Sequence, residues 1–176
     1  AVLVGIYVKG LPPFLVLVLA FAAAFAAGAL WGSVASVLRI TLGVSEIIVT
    51  IMQGYIATLF IGYLVDVPFK QAGTMISQTP PIPDELKLPF VIPGTRLHAG
   101  IYLAVAAILA VYVILWRTSL GYKLRMAGFN SDASRFSGRN NKMLIFVAMV
   151  ISAGIAGVGG AAEALGNLYQ LTPGFS

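Results

Sequence analysis

Four long intervals of the chain carry no lysine, arginine, aspartate or glutamate, and short polar segments separate them. These intervals cover residues 10–38, 47–65, 97–116 and 143–162. An α-helix needs about 20 apolar residues to cross the ~30 Å hydrocarbon core of a bilayer, and each interval is close to that length or longer. The pattern therefore predicts an all-α, polytopic transmembrane helix bundle with spans at residues 14–37, 47–65, 98–116 and 143–165.

Composition supports a membrane protein rather than a soluble domain. Hydrophobic residues make up 59% of the chain, charged residues make up 10%, and the mean hydropathy is +0.95. A pI near 9.7 would suggest nucleic-acid binding in a soluble domain, but here the basic residues flank apolar intervals. We therefore predict a lipid membrane as the partner and no nucleic acid. With no cysteine and one histidine, the sequence predicts no disulfide, no metal site and no cofactor.

The distribution of basic residues predicts the orientation of the helices. Six of the eleven lysines and arginines lie in residues 117–142, against a single acid, Asp132. Because cytoplasmic loops are enriched in lysine and arginine, this segment is predicted to be cytoplasmic. Residues 66–97 then form an external loop, whose prolines favour extended segments or short turns. This loop either docks an external solute-binding protein or only connects two helices.

Small residues recur at helical spacing in the first and last spans. They are Gly28 and Gly32 in the first span, with Ala153, Gly157, Ala161 and Ala156, Gly160, Ala164 forming two stripes in the last. In lipid, close helix contact depends on small residues that let backbones approach. Two interpretations stay open: ordinary packing between these helices, or a hinge or contact line along a solute path.

The cytoplasmic segment carries the signals of a short helix at residues 130–138. Asn130 is a suitable N-cap, and Asp132 follows in the first turn, where the helix dipole favours an acid. Arg135 lies toward the last turn, and Gly138 can end the helix in the left-handed conformation. A helix of two turns is too short to be stable alone, so it needs a partner surface. The side chains available for that contact are Phe129, Ala133 and Phe136. The alternative is a solvated basic loop that only sets topology.

Several motifs along the chain resemble those of one transporter family. The clearest runs from residue 118 to residue 138 and contains Thr118, Gly121, Arg125, Ala127, Gly128, Asn130, Ala133 and Gly138. Others cover residues 42–52, 79–83, 95–100 and 152–163. Together they resemble the ABC-importer permeases that serve branched-chain amino acids, simple sugars and nucleosides, and most of all the nucleoside and simple-sugar subgroup.

The resemblance implies a permease subunit, not an enzyme, in which alternating access is driven by separate cytoplasmic ATP-binding subunits. No G-x-x-x-x-G-K-[ST] motif occurs in these 176 residues, which agrees with ATP hydrolysis on another polypeptide. It further implies a second permease subunit, an external solute-binding protein and a location in the cytoplasmic or inner membrane. The implied ATPase-coupling residues are Arg125, Gly128, Asn130, Asp132, Ala133, Arg135 and Gly138. The implied solute is a nucleoside, with a simple sugar or a branched-chain amino acid as the alternatives.

Glu163 is the candidate residue for solute binding. It is the single charged residue after Lys142 and lies at the end of the last apolar interval. A carboxylate at the centre of a membrane helix costs roughly 2.5–3.5 kcal/mol, so such residues usually face a bundle interior or a watery cavity. We predict that Glu163 lines the solute pathway with Asn167 nearby. The alternative is a purely structural pairing with a neighbouring helix.

Other protein classes fit the sequence less well. An intramembrane hydrolase needs paired acids, a Ser/His pair or a metal cluster within the spans, and Glu163 alone is available. A non-ABC channel or scaffold stays as an alternative, although neither a filter loop nor a ring of charges is visible. His98 is predicted to be a helix-end residue at the interface, with a proton relay as the alternative.

The chain begins without methionine and ends on an uncharged segment. We therefore expect residues 1–176 to be part of a single transmembrane permease domain that belongs to a longer protein.

Overall fold

The structure, a computed structural model, describes residues 1–7, 11–67, 69, 78–92, 94–95, 97–129 and 141–170. Within these ranges the regular elements are all helical. They are α1 (Val2–Tyr7), α2 (Pro13–Leu42), α3 (Glu46–Asp66), a 3-10 turn (Asp84–Leu86), α4 (Gly100–Arg117), α5 (Ser119–Phe129), α6 (Asn141–Glu163) and a π-helical turn (Ala164–Leu168). Helices α2, α3, α4 and α6 with its π turn are long and apolar enough to cross a membrane. The all-α polytopic architecture is thereby confirmed.

Helix α2 extends further than the sequence pattern indicates. Its 30 residues correspond to about 45 Å, because the helix continues through Arg39 instead of ending at residue 37. Gly43 ends it with a left-handed φ of 68° and donates its N–H to the carbonyl of Arg39 at 3.1 Å. Across this turn the Arg39 guanidinium lies 3.0 Å from the carboxylate of Glu46, in the first turn of α3. Both side chains are exposed, so the pair contributes little to stability.

The closest helix packing in the described part of the chain joins α2 to α6 through their small residues. A Cβ placed on Gly28 would lie 2.5 Å from the carbonyl oxygen of Ala153 and 3.1 Å from the Cα of Gly157. A Cβ on Gly32 would overlap the side chain of Ala153, and one on Gly157 would overlap the backbone of Ala24. This arrangement supports the packing interpretation for the stripe that contains Ala153 and Gly157, because the two backbones touch where side chains are missing. A Cβ on Gly160, in the second stripe, would meet nothing within 4 Å.

A second buried region lies at the end of the bundle that carries the start of α2 and the π turn. It forms where α1, the 3-10 turn and the π turn meet. Its buried members are Val2, Val16, Ala20, Ile82, Leu86, Leu88, Ala164 and Leu165. Helix α1 was missed by the sequence analysis because six residues are too few for a periodic pattern.

Helices α3 and α4 are mostly exposed along their length. Helix α3 contacts α2, where the side-chain amide of Gln53 donates a hydrogen bond to the carbonyl of Trp31. Large apolar side chains such as Leu59 and Tyr102 are 75% and 66% exposed. In a membrane protein such faces meet lipid or further helices, so they are compatible with the architecture.

We predict that Gly28→Ala destabilises the protein by about 1–3 kcal/mol, because the added methyl group overpacks the contact between α2 and α6. Gly54→Ala is the matched control, since a Cβ there meets nothing within 4 Å and removing a mid-helix glycine stabilises by up to about 1 kcal/mol. Thermal unfolding of the detergent-solubilised protein measures both. Equal effects of the two substitutions would contradict the packing described above.

Candidate functional site

Glu163 lies where the last membrane helix changes from α to π geometry. It is the final residue of α6, and its side chain is 48% exposed. Its Oε1 accepts a hydrogen bond of 2.8 Å from the side-chain amide of Asn167, in the π turn. Its Oε2 lies 3.5 Å from Nε2 of His98, two residues before α4. The structure thus places Asn167 beside Glu163, as the sequence predicts, and adds His98, which the sequence analysis described as a helix-end residue without linking it to Glu163.

His98 is held on several sides. Its Nδ1 accepts a hydrogen bond of 3.1 Å from the backbone N–H of Gly100, the first residue of α4. The ring is only 13% exposed. Gly100 and Gly166 make room for it, because a Cβ on Gly100 would lie 2.5 Å from the imidazole Cε1 and one on Gly166 would overlap the ring. The imidazole is therefore fixed between the start of α4 and the end of α6.

A groove of about 600 Å³ runs between α4 and α6 and ends at this pair. His98 and Glu163 supply the ionisable groups of its lining, and the remaining walls are aliphatic or small. Typical wall residues are Ala104, Ala107 and Ile108 on α4, with Ile155, Val158 and Gly159 on α6. Grooves of this volume, apolar with a few polar groups, are the usual form of small-molecule sites in proteins.

The π turn after Glu163 is fastened to the proline-rich loop. Tyr169 ends the turn in the left-handed region with a φ of 56°, and its carbonyl accepts a hydrogen bond of 2.8 Å from the N–H of Ile82. Leu88 donates its N–H to the carbonyl of Leu165 at 3.1 Å. A left-handed non-glycine residue persists only when the surrounding structure holds it, and these bonds do so. The position of the loop is therefore linked to the backbone geometry of the π turn beside Glu163.

One ion pair lies within the same loop. Nζ of Lys87 lies 2.5 Å from the carboxylate of Asp84 and 4.8 Å from the centre of the Tyr169 ring. The hydrogen bond and the positive charge of Lys87 lower the pKa of Asp84. The expected short turns are present here, as the 3-10 turn that contains Asp84.

At the opposite end of α4 a tight bend leads into α5. The hydroxyl of Thr118 donates to the carbonyl of Ile114 at 2.5 Å and accepts the N–H of Gly121 at 3.1 Å. A Cβ on Gly121 would collide with the backbone of Ile114 and Leu115. Thr118 and Gly121 thus set the direction in which α5 leaves α4.

Two of the predicted ATPase-coupling residues, Arg125 and Gly128, lie on α5. The guanidinium of Arg125 lies 4.0 Å from the centre of the Trp116 ring, and its Nε is buried without a hydrogen-bond partner in the described structure. A Cβ on Gly128 would meet nothing within 4 Å. The other predicted coupling residues lie outside the described residues: Asn130, Asp132, Ala133, Arg135 and Gly138.

Helix α5 presents an exposed apolar face, of which the sequence analysis had named Phe129 but not the other two members. Tyr122, Met126 and Phe129, spaced for one side of a helix, are 51%, 39% and 87% exposed. The signal was present in the sequence as an i, i+4, i+7 pattern, but it was obscured by the basic residues between these positions.

Comparison with known proteins identifies the family. Residues 1–172 match the family described as "Branched-chain amino acid transport system / permease component". This chain belongs to that permease family. It is 36% identical over 173 residues to the guanosine ABC transporter permease protein NupP of Bacillus subtilis, covering 95% of this chain and 48% of the relative. No solved structure matches this chain.

Two further relatives of this permease carry names with different solutes. A glucose ABC transporter permease of Haloferax volcanii is 30% identical over 176 residues, covering 94% of this chain and 46% of the relative. A nucleoside ABC transporter permease of Lactococcus lactis is 28% identical over 155 residues, covering 81% of this chain and 42% of the relative. The chain spans about half the length of these relatives. The nucleoside and sugar branch suggested by the sequence motifs is confirmed.

We predict that the contact between Arg125 and Trp116 stabilises the folded protein. In a double-mutant cycle of Arg125→Leu and Trp116→Leu, the coupling free energy should be about 1 kcal/mol, the size of a cation–π interaction. Lys123→Leu paired with Trp116→Leu is the control, because Lys123 lies on the same helix and is exposed. Denaturant unfolding of the purified permease measures these values, and additive effects in the first cycle would contradict the prediction.

Proposed function

We propose that this chain forms part of a permease subunit that imports a nucleoside, with ATP hydrolysed on separate cytoplasmic subunits. The observation that carries the solute assignment is the 36% identity, over 95% of the chain, to a permease named for guanosine. The relative named for nucleosides supports the same choice. A simple sugar is the second candidate, because the relative named for glucose covers as much of the chain.

The proposed solute pathway includes the groove between α4 and α6, with Glu163 and Asn167 at its end. A carboxylate facing lipid is costly, whereas one facing a water-accessible groove is not. Asn167 fixes one oxygen of the carboxylate at 2.8 Å, so the group is oriented before a solute arrives. The hydroxyl and amino groups of a nucleoside are hydrogen-bond donors of the kind that a carboxylate accepts.

The proposed ATPase-coupling surface combines α5 with the predicted helix at residues 130–138. Tyr122, Met126 and Phe129 offer an exposed apolar face, which a partner protein would cover. The bend at Thr118 and Gly121 joins this surface directly to α4. A displacement imposed on α5 would therefore move α4, one wall of the groove, as a rigid body.

In this proposal the basic segment 117–142 faces the cytoplasm and the loop at residues 78–92 faces outside. The loop is fastened to the π turn beside Glu163 through Ile82 and Leu88. An external solute-binding protein that docks on the loop would thus act close to the carboxylate. The exposed face of α3 and the length of the relatives leave room for further helices and a second permease subunit.

Reconstitution of the full-length permease with its ATPase and binding protein tests the function. We expect ATP-dependent uptake of labelled guanosine, and a rise of about tenfold or more in its apparent KM in Glu163→Gln, the loss expected for a hydrogen bond to a charged group. Glu46→Gln, the same chemical change at an exposed carboxylate outside the groove, the external loop and the coupling surface, is the control and should transport as the unmodified protein. Uptake of glucose without guanosine would select the second candidate, and a normal KM in Glu163→Gln would remove Glu163 from the pathway.

A further inference from the structure

His98 makes one interaction that restricts where its proton can lie. Its Nδ1 is 3.1 Å from the backbone nitrogen of Gly100, which carries a hydrogen and can only donate. A nitrogen that accepts such a bond cannot itself be protonated, so in the neutral ring the hydrogen lies on Nε2. We assign the Nε2–H tautomer to His98 on this basis.

The start of α4, whose first N–H bonds to His98, favours the same tautomer. The ring accepts one of the first N–H groups of α4, and a helix N-terminus carries partial positive charge. A proton on Nδ1 would break the bond to Gly100, and with Nε2 also protonated the ring would add positive charge at this end of the helix. Glu163, the nearby carboxylate, is the charge that a helix N-terminus favours.

Nε2 of the same ring points to the carboxylate at the end of the groove. It lies 3.5 Å from Oε2 of Glu163, while Asn167 bonds Oε1 at 2.8 Å. The two carboxylate oxygens thus face nitrogens from different elements: His98, two residues before α4, and Asn167 in the π turn. This arrangement resembles the histidine and carboxylate pairs in which a backbone contact at one ring nitrogen selects the proton at the other.

The packing leaves the ring little freedom to leave this position. Gly100 and Gly166 approach its faces so closely that a methyl group on either would collide with the ring. The carbonyl of His98 also accepts the N–H of Ile101 at 3.1 Å.

We infer that His98 is a positioning residue for solute binding: as the neutral Nε2–H tautomer, fixed by the N–H of Gly100, it orients the carboxylate of Glu163 toward the groove. It acts on the solute through Glu163. The transport consequence rests on the proposed function, whereas the tautomer and its contact with Glu163 do not.

Two substitutions separate the two nitrogens of the ring. The side-chain amide nitrogen of glutamine falls near the Nε2 position, so His98→Gln keeps a donor toward Glu163 and loses the acceptor for Gly100. Asparagine is shorter, so His98→Asn keeps an acceptor for Gly100 and loses the donor toward Glu163. In the reconstituted full-length transporter, His98→Asn should raise the apparent KM for guanosine roughly threefold to tenfold with little change in kcat. His98→Gln should restore most of the affinity that His98→Asn loses.

A double variant identifies the route of the effect. If His98 acts through Glu163, adding His98→Asn to Glu163→Gln should raise KM no further than Glu163→Gln alone. Additive effects, or equal losses in His98→Gln and His98→Asn, would overturn the inference.

Nitrogen-15 NMR of histidine-labelled full-length permease in lipid tests the tautomer without any solute. The signal of His98, assigned by its loss in His98→Gln, should show an unprotonated Nδ1 and a protonated Nε2. In Glu163→Gln the Nε2 signal should move while Nδ1 stays unprotonated. A protonated Nδ1 in the unmodified protein overturns the inference even if guanosine is transported. If the spectrum is as expected but guanosine is not taken up, the proposed solute is refuted and the tautomer assignment stands.

Discussion

The close approach of α2 and α6 determines how the other helices are arranged. Apolar side chains gain little by leaving lipid for another helix, so the bundle needs direct backbone contact, which Gly28 and Gly157 make possible. Once α6 is held against α2 on one side, its opposite side meets α4 only loosely, and the groove forms there. The direction of α6 also brings Glu163 to the end of that groove.

Each end of α4 is joined to a different part of the molecule. At one end, His98 contacts Glu163 and the π turn, which the loop through Ile82 holds in place. At the other, Thr118 and Gly121 fix α5. A single rigid helix therefore connects the candidate solute site with the candidate coupling surface, about 27 Å away along 18 residues. This is the physical basis on which ATPase movement would change access to the groove.

Hydropathy was sufficient to predict the four long helices, because bilayer thickness and charge avoidance act on single residues and need no tertiary information. The small-residue contact and the proximity of Asn167 to Glu163 were predictable for a similar reason, since both follow from helical spacing. The contact of His98 with Glu163 was not, because 65 residues separate them and only the packing of α4 beside α6 joins them. Arg125 was assigned to partner contact from its motif, whereas its position over Trp116 depends on a bend that the sequence pattern does not reveal.

Accessibility of the groove between α4 and α6 is the most direct test of the account. The 176 residues contain no cysteine. In a transporter whose cysteines elsewhere have been replaced, single cysteines can be introduced at Ala104 and Gly159, which line the groove, and at exposed Leu109, which does not. In the working transporter a water-soluble thiol reagent should label the first two positions, guanosine should slow that labelling, and Leu109→Cys should stay unreactive in lipid. Labelling of Leu109→Cys alone, or labelling of Ala104→Cys and Gly159→Cys that guanosine leaves unchanged, would contradict a solute pathway between these helices.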